Sequence, residues 1–224
     1  SGYGQSGVTD HATGGACIPE FLLQYEESDW VFLRRLASHF GTYLLADATD
    51  ACGKVYFGIP EISYGTVLDR QDYTMEKDML HYARVLEKEG VLSQEASCWN
   101  VMVRFFLRMG ETLTFNGIEA VVTAMRLHTE KGELVYSYVL ARRAGIRREK
   151  EKNPGIFGMS IPATVMERSG NRIRVHFEID PEYEASEKTK YFTYAIESSS
   201  FYCMPEEGSQ VHIYFPDHDE QGAV

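Results

Sequence analysis

The chain lacks most of the features that announce a chemistry. It has four cysteines in 224 residues, Cys17, Cys52, Cys98 and Cys203, and no Cys-x-x-Cys pair, so the spacing of a zinc ribbon or a thiol-exchange motif is excluded. A chain of this length can build a core without staples, and the four are expected to be free thiols. Long apolar runs are missing as well. Trp30–Leu33 and Phe105–Leu107 fall far short of the ~20 residues a membrane-spanning helix requires. No basic and then apolar leader follows Ser1, so no signal peptide is expected, and the Ser-Gly start leads to the expectation of an excised segment. Cations are scarce: 22 basic against 33 acidic residues give a net charge of −11. General nucleic-acid binding rests on clustered Lys and Arg releasing counterions, and this balance argues against it.

Motifs for catalysis are equally thin. The glycines of Gly2–Gly15 are not followed by the Gly-Lys-Ser/Thr of a phosphate loop, and Cys203 sits in Phe201-Tyr202-Cys203-Met204 without a nucleophile elbow, so its pairing with His212 as base is disfavoured. No two of the seven histidines share the i, i+4 spacing that presents both to a metal from one helix. Glu26, Glu27 and Asp29 could divide acid and base roles, but they stand at an expected helix start, where the dipole favours carboxylates. His212, Asp217, His218, Asp219 and Glu220 could offer metal ligands, yet their spacing matches neither an EF-hand nor a zinc motif. Tyr191, Phe192 and Tyr194 beside Lys188 and Lys190 have the look of a single-strand-binding surface, countered by Glu182, Glu184 and Glu187 just before them. No catalytic, cofactor-binding or metal-binding residue is therefore expected.

What the sequence does contain is pattern. Ser28 is placed to cap a helix through Phe40, with Phe32, Leu33, Leu36, Ala37 and Phe40 on one face and Gly41 as its stop. Thr42–Ala46 and Lys54–Ile59 read as strands joined by the turn-rich Asp47–Gly53, and Thr74–Glu89 has helical composition up to Gly90, although Tyr73 and Thr74 could equally begin a strand. From Cys98 the period changes to two. Trp99–Phe105, Glu111–Phe115, Ile118–Leu127 and Glu133–Ala141 form an expected antiparallel meander with turns at Asn116-Gly117 and Glu130-Lys131-Gly132. The charge run Arg142–Lys152 ends in Asn153-Pro154-Gly155, where a domain boundary is expected, giving parts 1–153 and 154–224 with formal charges of −4 and −7. Beyond it, Ile161–Glu167, Arg172–Asp180, Lys190–Glu197 and Gln210–Phe215 suit a small five-stranded barrel of the OB type. In Arg172–Asp180, Ile173, Val175, Phe177 and Ile179 share one face. The first 15 residues are expected to be irregular.

Three stretches carry a family resemblance. Gln24-Tyr25-Glu26-Glu27-Ser28-Asp29-Trp30 through Ala37 resembles the Q-Y-x-E-S-D-W-x-F-L-x-R-L-A signature of the VgrG and phage late-control D family, the hub and spike proteins of contractile tails and type VI secretion systems. Met204-Pro205-Glu206-Glu207-Gly208 through Phe215-Pro216 and Asp219-Glu220 is similar to the pattern closing that family's OB domain. Gly110–Gly117 resembles its G-D-x-I-x-F-N-G turn, with Glu111, like Ser209 further on, where the family often has Asp. The resemblance implies a mainly β protein with short helices (α+β), a hub-type β-barrel portion followed by the OB barrel, and a non-enzymatic role. Its implied partners are two further copies in a homotrimer, tail tube and baseplate proteins, and an effector or spike-tip protein, with neither nucleic acid nor stable membrane insertion. Assembly in the cytoplasm and then extrusion with the particle would follow. The family's first hub barrel would come before Ser1 and its β-helical needle after Val224, so the resemblance leads to the expectation of an internal fragment or of an unusually short member. The rival expectations are a carrier segment for a tail-associated cell-wall hydrolase and an OB oligonucleotide-binding module.

Overall fold

The computed structural model describes residues 7–18, 20–47, 53–181, 189–194 and 204–224. The chain is mainly β with two short helices and divides into two compact units, Ser1–Cys17 with Leu33–Glu151, and Ile18–Phe32 with Lys152–Val224. The second unit thus takes in residues 18–32, a segment that a single cut at Asn153 leaves with the first.

Helix α1, Asp29–His39, begins as its sequence dictates: the Ser28 hydroxyl accepts from Val31 N at 3.4 Å, and Asp29 occupies the first turn. At its other end Gly41 adopts φ +63° and Thr42 N returns to Ala37 O at 3.1 Å. Ala37 packs with Leu44 and Phe57 in a small core flanked by Leu33, Leu36, Phe40 and Val55. That core rests on a three-stranded sheet in which β3, Lys54–Phe57, lies between β2, Leu44–Asp47, and β1, Val8–Asp10. β1 runs parallel to β3 and corrects the expectation of an irregular first 15 residues, because three backbone pairings order a segment with no periodicity of its own. Most of the turn expected at Asp47–Gly53 lies outside the described residues.

The larger sheet of the first unit has six strands: β4, Ile62–Leu68; β5, Tyr73–Lys77; β6, Ser97–Val103; β7, Glu111–Phe115; β8, Ile118–Glu130; and β9, Glu133–Ala141, in the spatial order β4-β7-β8-β9-β6-β5. Two hairpin turns behave as read. Asn116 and Gly117 have φ +46° and +77°, and Lys131 and Gly132 +49° and +84°, the paired positive angles that suit two-residue turns to strand twist. The meander is shorter than expected, however, because β6 pairs with β9 and not with β7. Of the two readings of Thr74–Glu89, the strand beginning at Tyr73 is the one observed, as β5, and the continuous helix gives way to α2, Met79–His81, and a π-turn over Tyr82–Leu86. Five cross-strand pairs, Tyr73↔Val101 to Lys77↔Ser97, outweigh the weak helical preference there, and the Asp78 carboxylate caps α2 by accepting His81 N at 2.8 Å. Trp99, Val101, Leu113, Phe115, Val122, Tyr138 and Leu140 form the core on one face.

In the second unit, β10, Ser160–Ser169, pairs with β11, Arg172–Phe177, and with β13, Gln210–Tyr214, while β12, Tyr191–Thr193, borders β11. Ile173, Val175 and Phe177 are buried as their alternation requires, but the strand stops at Phe177 and Ile179 is 46% exposed. No closed barrel forms among the described residues: β4 and β5 are edges of one sheet, β12 and β13 of the other. The expected strand Lys190–Glu197 lies outside the described residues beyond Tyr194.

Candidate functional site

Several of the described groups that could have carried chemistry are engaged in local contacts that hold the fold. Among the carboxylates, Asp29 accepts from Gln24 Nε2 at 2.9 Å, and the same amide reaches Glu27 O at 3.2 Å, so Gln24 braces the turn that enters α1. Glu26 takes the left-handed φ of +48° and is exposed. The C-terminal acidic group is similarly local. Asp217 Oδ1 accepts Asp219 N, Asp219 Oδ1 accepts Gln221 N at 3.0 Å, and Asp219 Oδ2 pairs with Lys152 Nζ at 3.2 Å. His212 stands on β13, whereas the His218 ring lies 5.0 Å from Phe157. No group of three His, Cys, Asp or Glu able to hold a metal occurs among the described residues. Cys203 lies outside them. Cys17 and Cys98 are free thiols, and burial pushes the Cys98 thiol up, with Glu76 and Asp78 adding to the shift.

Lys190, Tyr191 and Phe192 of the aromatic and basic cluster make contacts within the second unit. Tyr191 donates to Glu167 Oε1 at 2.8 Å, and Arg174, bonded to Glu167 Oε2 at 2.8 Å, stacks 4.1 Å above the Tyr191 ring. Phe192 is 2% exposed, within rings from Phe21 and Phe177. Lys190 directs its ammonium at the carbonyls of Glu220 and Gln221. Burial holds that ammonium below the ordinary lysine range against the opposing pull of Asp219, Glu220 and Glu20. Lys188 is outside the described residues.

The basic run is also structural. Arg142 pairs with Glu95 at 3.4 Å, Arg147 with Glu89 at 3.1 Å, and Arg148 with Glu151, while Glu151 N donates to the buried Ser38 hydroxyl of α1 at 2.9 Å. Asn153, expected in a linker, is 2% exposed: its Nδ2 donates to Tyr25 O at 2.9 Å and its Oδ1 accepts Gly155 N at 2.9 Å. Gln221 Nε2 donates to Phe21 O at 2.6 Å. Phe21, Leu23 and Tyr25 thereby close over the core of Ile156, Ile161, Val175, Phe192, Ile213 and Phe215. The start of the first resembling stretch, up to Phe32, and the last resembling stretch thus lie in one unit.

One functional-looking group escaped the sequence reading. Glu111 is 3% exposed and spans two partners, with Oε1 accepting the Thr66 hydroxyl at 2.7 Å and Oε2 accepting Arg108 N at 3.1 Å. The longer Glu at a position where the resembling family often has Asp is used to bridge β4 to the start of β7. Only the β4 pairing reveals this, and it is parallel, with an irregular register between Ser63 and Val67.

The chain is similar, at 15% identity and a TM-score of 0.59, to the E. coli c3393 protein, described as a component of the type VI secretion system with structural similarity to the T4 bacteriophage tail proteins gp27 and gp5. The likeness covers 90% of this chain and 60% of that one, so the chain spans about three-fifths of its neighbour's length. No protein-family model matches the sequence, and no curated protein matches it.

Proposed function

We propose that the chain is a structural segment of a hub or spike protein in a contractile phage tail or type VI-like injection apparatus. The observation that carries this reading is the fold likeness over 90% of the chain, which takes in both units, to a secretion-system component that itself resembles tail proteins. The three resembling stretches support it independently, because they fall in both units and in family order. On this reading the first unit is a hub-type domain and the second an OB-type domain that leads toward the spike. The intact protein assembles as a homotrimer between tail tube and baseplate, in the cytoplasm before extrusion, and acts by symmetry and load transmission, not by turnover. The engagement of the candidate groups in hydrogen bonds and ion pairs within each unit favours this role over catalysis.

The test is made on particles. Contractile particles from a producing strain, stripped of sheath and digested for mass spectrometry, should contain this chain at three copies per particle, in the baseplate fraction. Its absence from purified particles, or a strict dimer of the intact gene product at every concentration, overturns the reading.

A further inference from the structure

The first unit contains a cleft of roughly 550 Å³ whose charge runs opposite to that of the chain. It opens between the small sheet and the start of β4, and Lys54 of β3, Arg108 before β7 and Arg143 after β9 line it. Among the described residues, other cations such as Arg142, Arg147 and Arg174 pair with carboxylates, but none of these three does. Neutral groups hold them instead. Arg143 Nη1 donates to Ile59 O at 3.3 Å, and Nη2 donates to Pro60 O at 3.1 Å and Thr112 Oγ1 at 3.0 Å. The Lys54 ammonium lies 4.9 Å over the Tyr56 ring, and the Arg108 guanidinium 5.7 Å over Tyr64. Carbonyls and aromatic faces orient a cation without cancelling its charge. Among the described residues Glu61 is the one carboxylate in the lining, against three cations in a chain of net −11.

We propose that this cleft docks the carboxylate side chains of an acidic peptide segment of a partner protein. Three of the five guanidinium N–H groups of Arg143 are engaged, which leaves two to donate to an incoming carboxylate, and its fixed position removes the ordering cost that a surface arginine would incur. The cleft has room for a few side chains. A phosphate backbone continuing past it would meet the field of a strongly acidic molecule, which a short acidic peptide need not do. The proposal does not depend on the hub reading, since it rests on charges and distances within one unit.

Calorimetric titration of the whole chain at low salt, with acetylated tetraglutamate and with tetraglutamine, tests it. Saturable binding is expected for tetraglutamate alone, weakening as salt rises, and the double variant Lys54→Gln/Arg108→Gln should weaken it about tenfold or more. Neither side chain holds a hydrogen bond among the described residues, so an unchanged melting curve is expected and separates lost binding from lost folding. The absence of saturable binding, or equal affinity in the double variant, overturns the proposal. Tighter binding of inorganic phosphate or of a single-stranded oligonucleotide at the same residues also overturns it, by replacing the peptide as the occupant.

Discussion

The two units bury their cores by different routes. In the first, the strands that line the large core are largely sequence neighbours: β7, β8 and β9 follow one another through tight turns, and Phe115, Val122 and Leu140 meet within 26 residues of chain. In the second, the sheet of β10 to β13 is completed by Phe21, Leu23 and Tyr25, which precede Lys152 by more than a hundred residues. A core made from successive hairpins is announced by alternation. A core completed by a remote strap is announced only where the strap itself has a recognisable pattern.

That contrast can be broken first from the side of the large sheet. Phe115 is 1% exposed between Trp99 and Tyr73, and Phe115→Ala should cost the first unit about 3–5 kcal/mol in lost burial and cavity. Hydrogen exchange followed by mass spectrometry should report faster opening of peptides from β6 to β9, with those from β10 and β11 unchanged. Equal loosening of both sets would mean that the two cores are not energetically separate.

The strap is the next largest lever. Phe21 is half-buried, with its ring 5.7 Å from Phe177 and 5.2 Å from Phe192, and Phe21→Ala should destabilise the second unit by about 2 kcal/mol. The exchange pattern should be the reverse of that for Phe115→Ala: β10 and β11 loosen while β7 to β9 hold. A smaller effect is expected from Glu111→Gln, which leaves an amide to satisfy two donors, the Thr66 hydroxyl and Arg108 N, where a carboxylate had accepted both. About 1–2 kcal/mol should be lost from the first unit, measured by denaturant midpoint. Glu111→Asp, closer to the resembling family's choice, shortens the reach and should loosen β4 at its pairing with β7.

These elements also mark how far the sequence could be read. Helix α1, the Asn116-Gly117 and Lys131-Gly132 turns, and strands β7, β9 and β11 follow from caps, positive-φ residues and alternation, all of which act within a few residues. β1, β4 and β5 do not. Each is an edge strand held by a neighbour distant in sequence or by parallel pairing, β4 is interrupted at Gly65, and β5 is exposed along its whole length and so shows no buried face. The candidate groups divide in the same way. Lys190, Tyr191 and Phe192 are neighbours in sequence and suggested a surface, yet the fold turns them onto Glu220, Glu167 and Phe21. Lys54, Arg108 and Arg143 are spread over 90 positions and become a cluster only through topology.

The finest distinction between the units concerns alkaline pH. In the first, Tyr138 is buried with its phenol oxygen accepting Leu107 N at 2.7 Å, and burial raises its pKa above 10. Between the unfolded value near 10 and the higher folded one, the native state binds more protons than the unfolded state, so this group's contribution to stability is full below pH 10 and lost as pH rises through that window. In the second unit Lys190 has the opposite sign. Its folded pKa lies below 10.5, the unfolded state holds the proton longer, and stability gains as pH rises toward 10.5. Tyr191, raised by its hydrogen bond to Glu167, opposes that gain, so the comparison is made in a Tyr191→Phe background. There, exchange protection should fall from pH 9.5 to 11 in β7 to β9 relative to β10 and β11, after correction for the intrinsic exchange rate. Adding Lys190→Met should remove the second unit's relative gain while leaving the slope of the first unchanged. If both units lose protection in parallel in both backgrounds, the buried phenol and the half-buried ammonium are not what sets their alkaline behaviour.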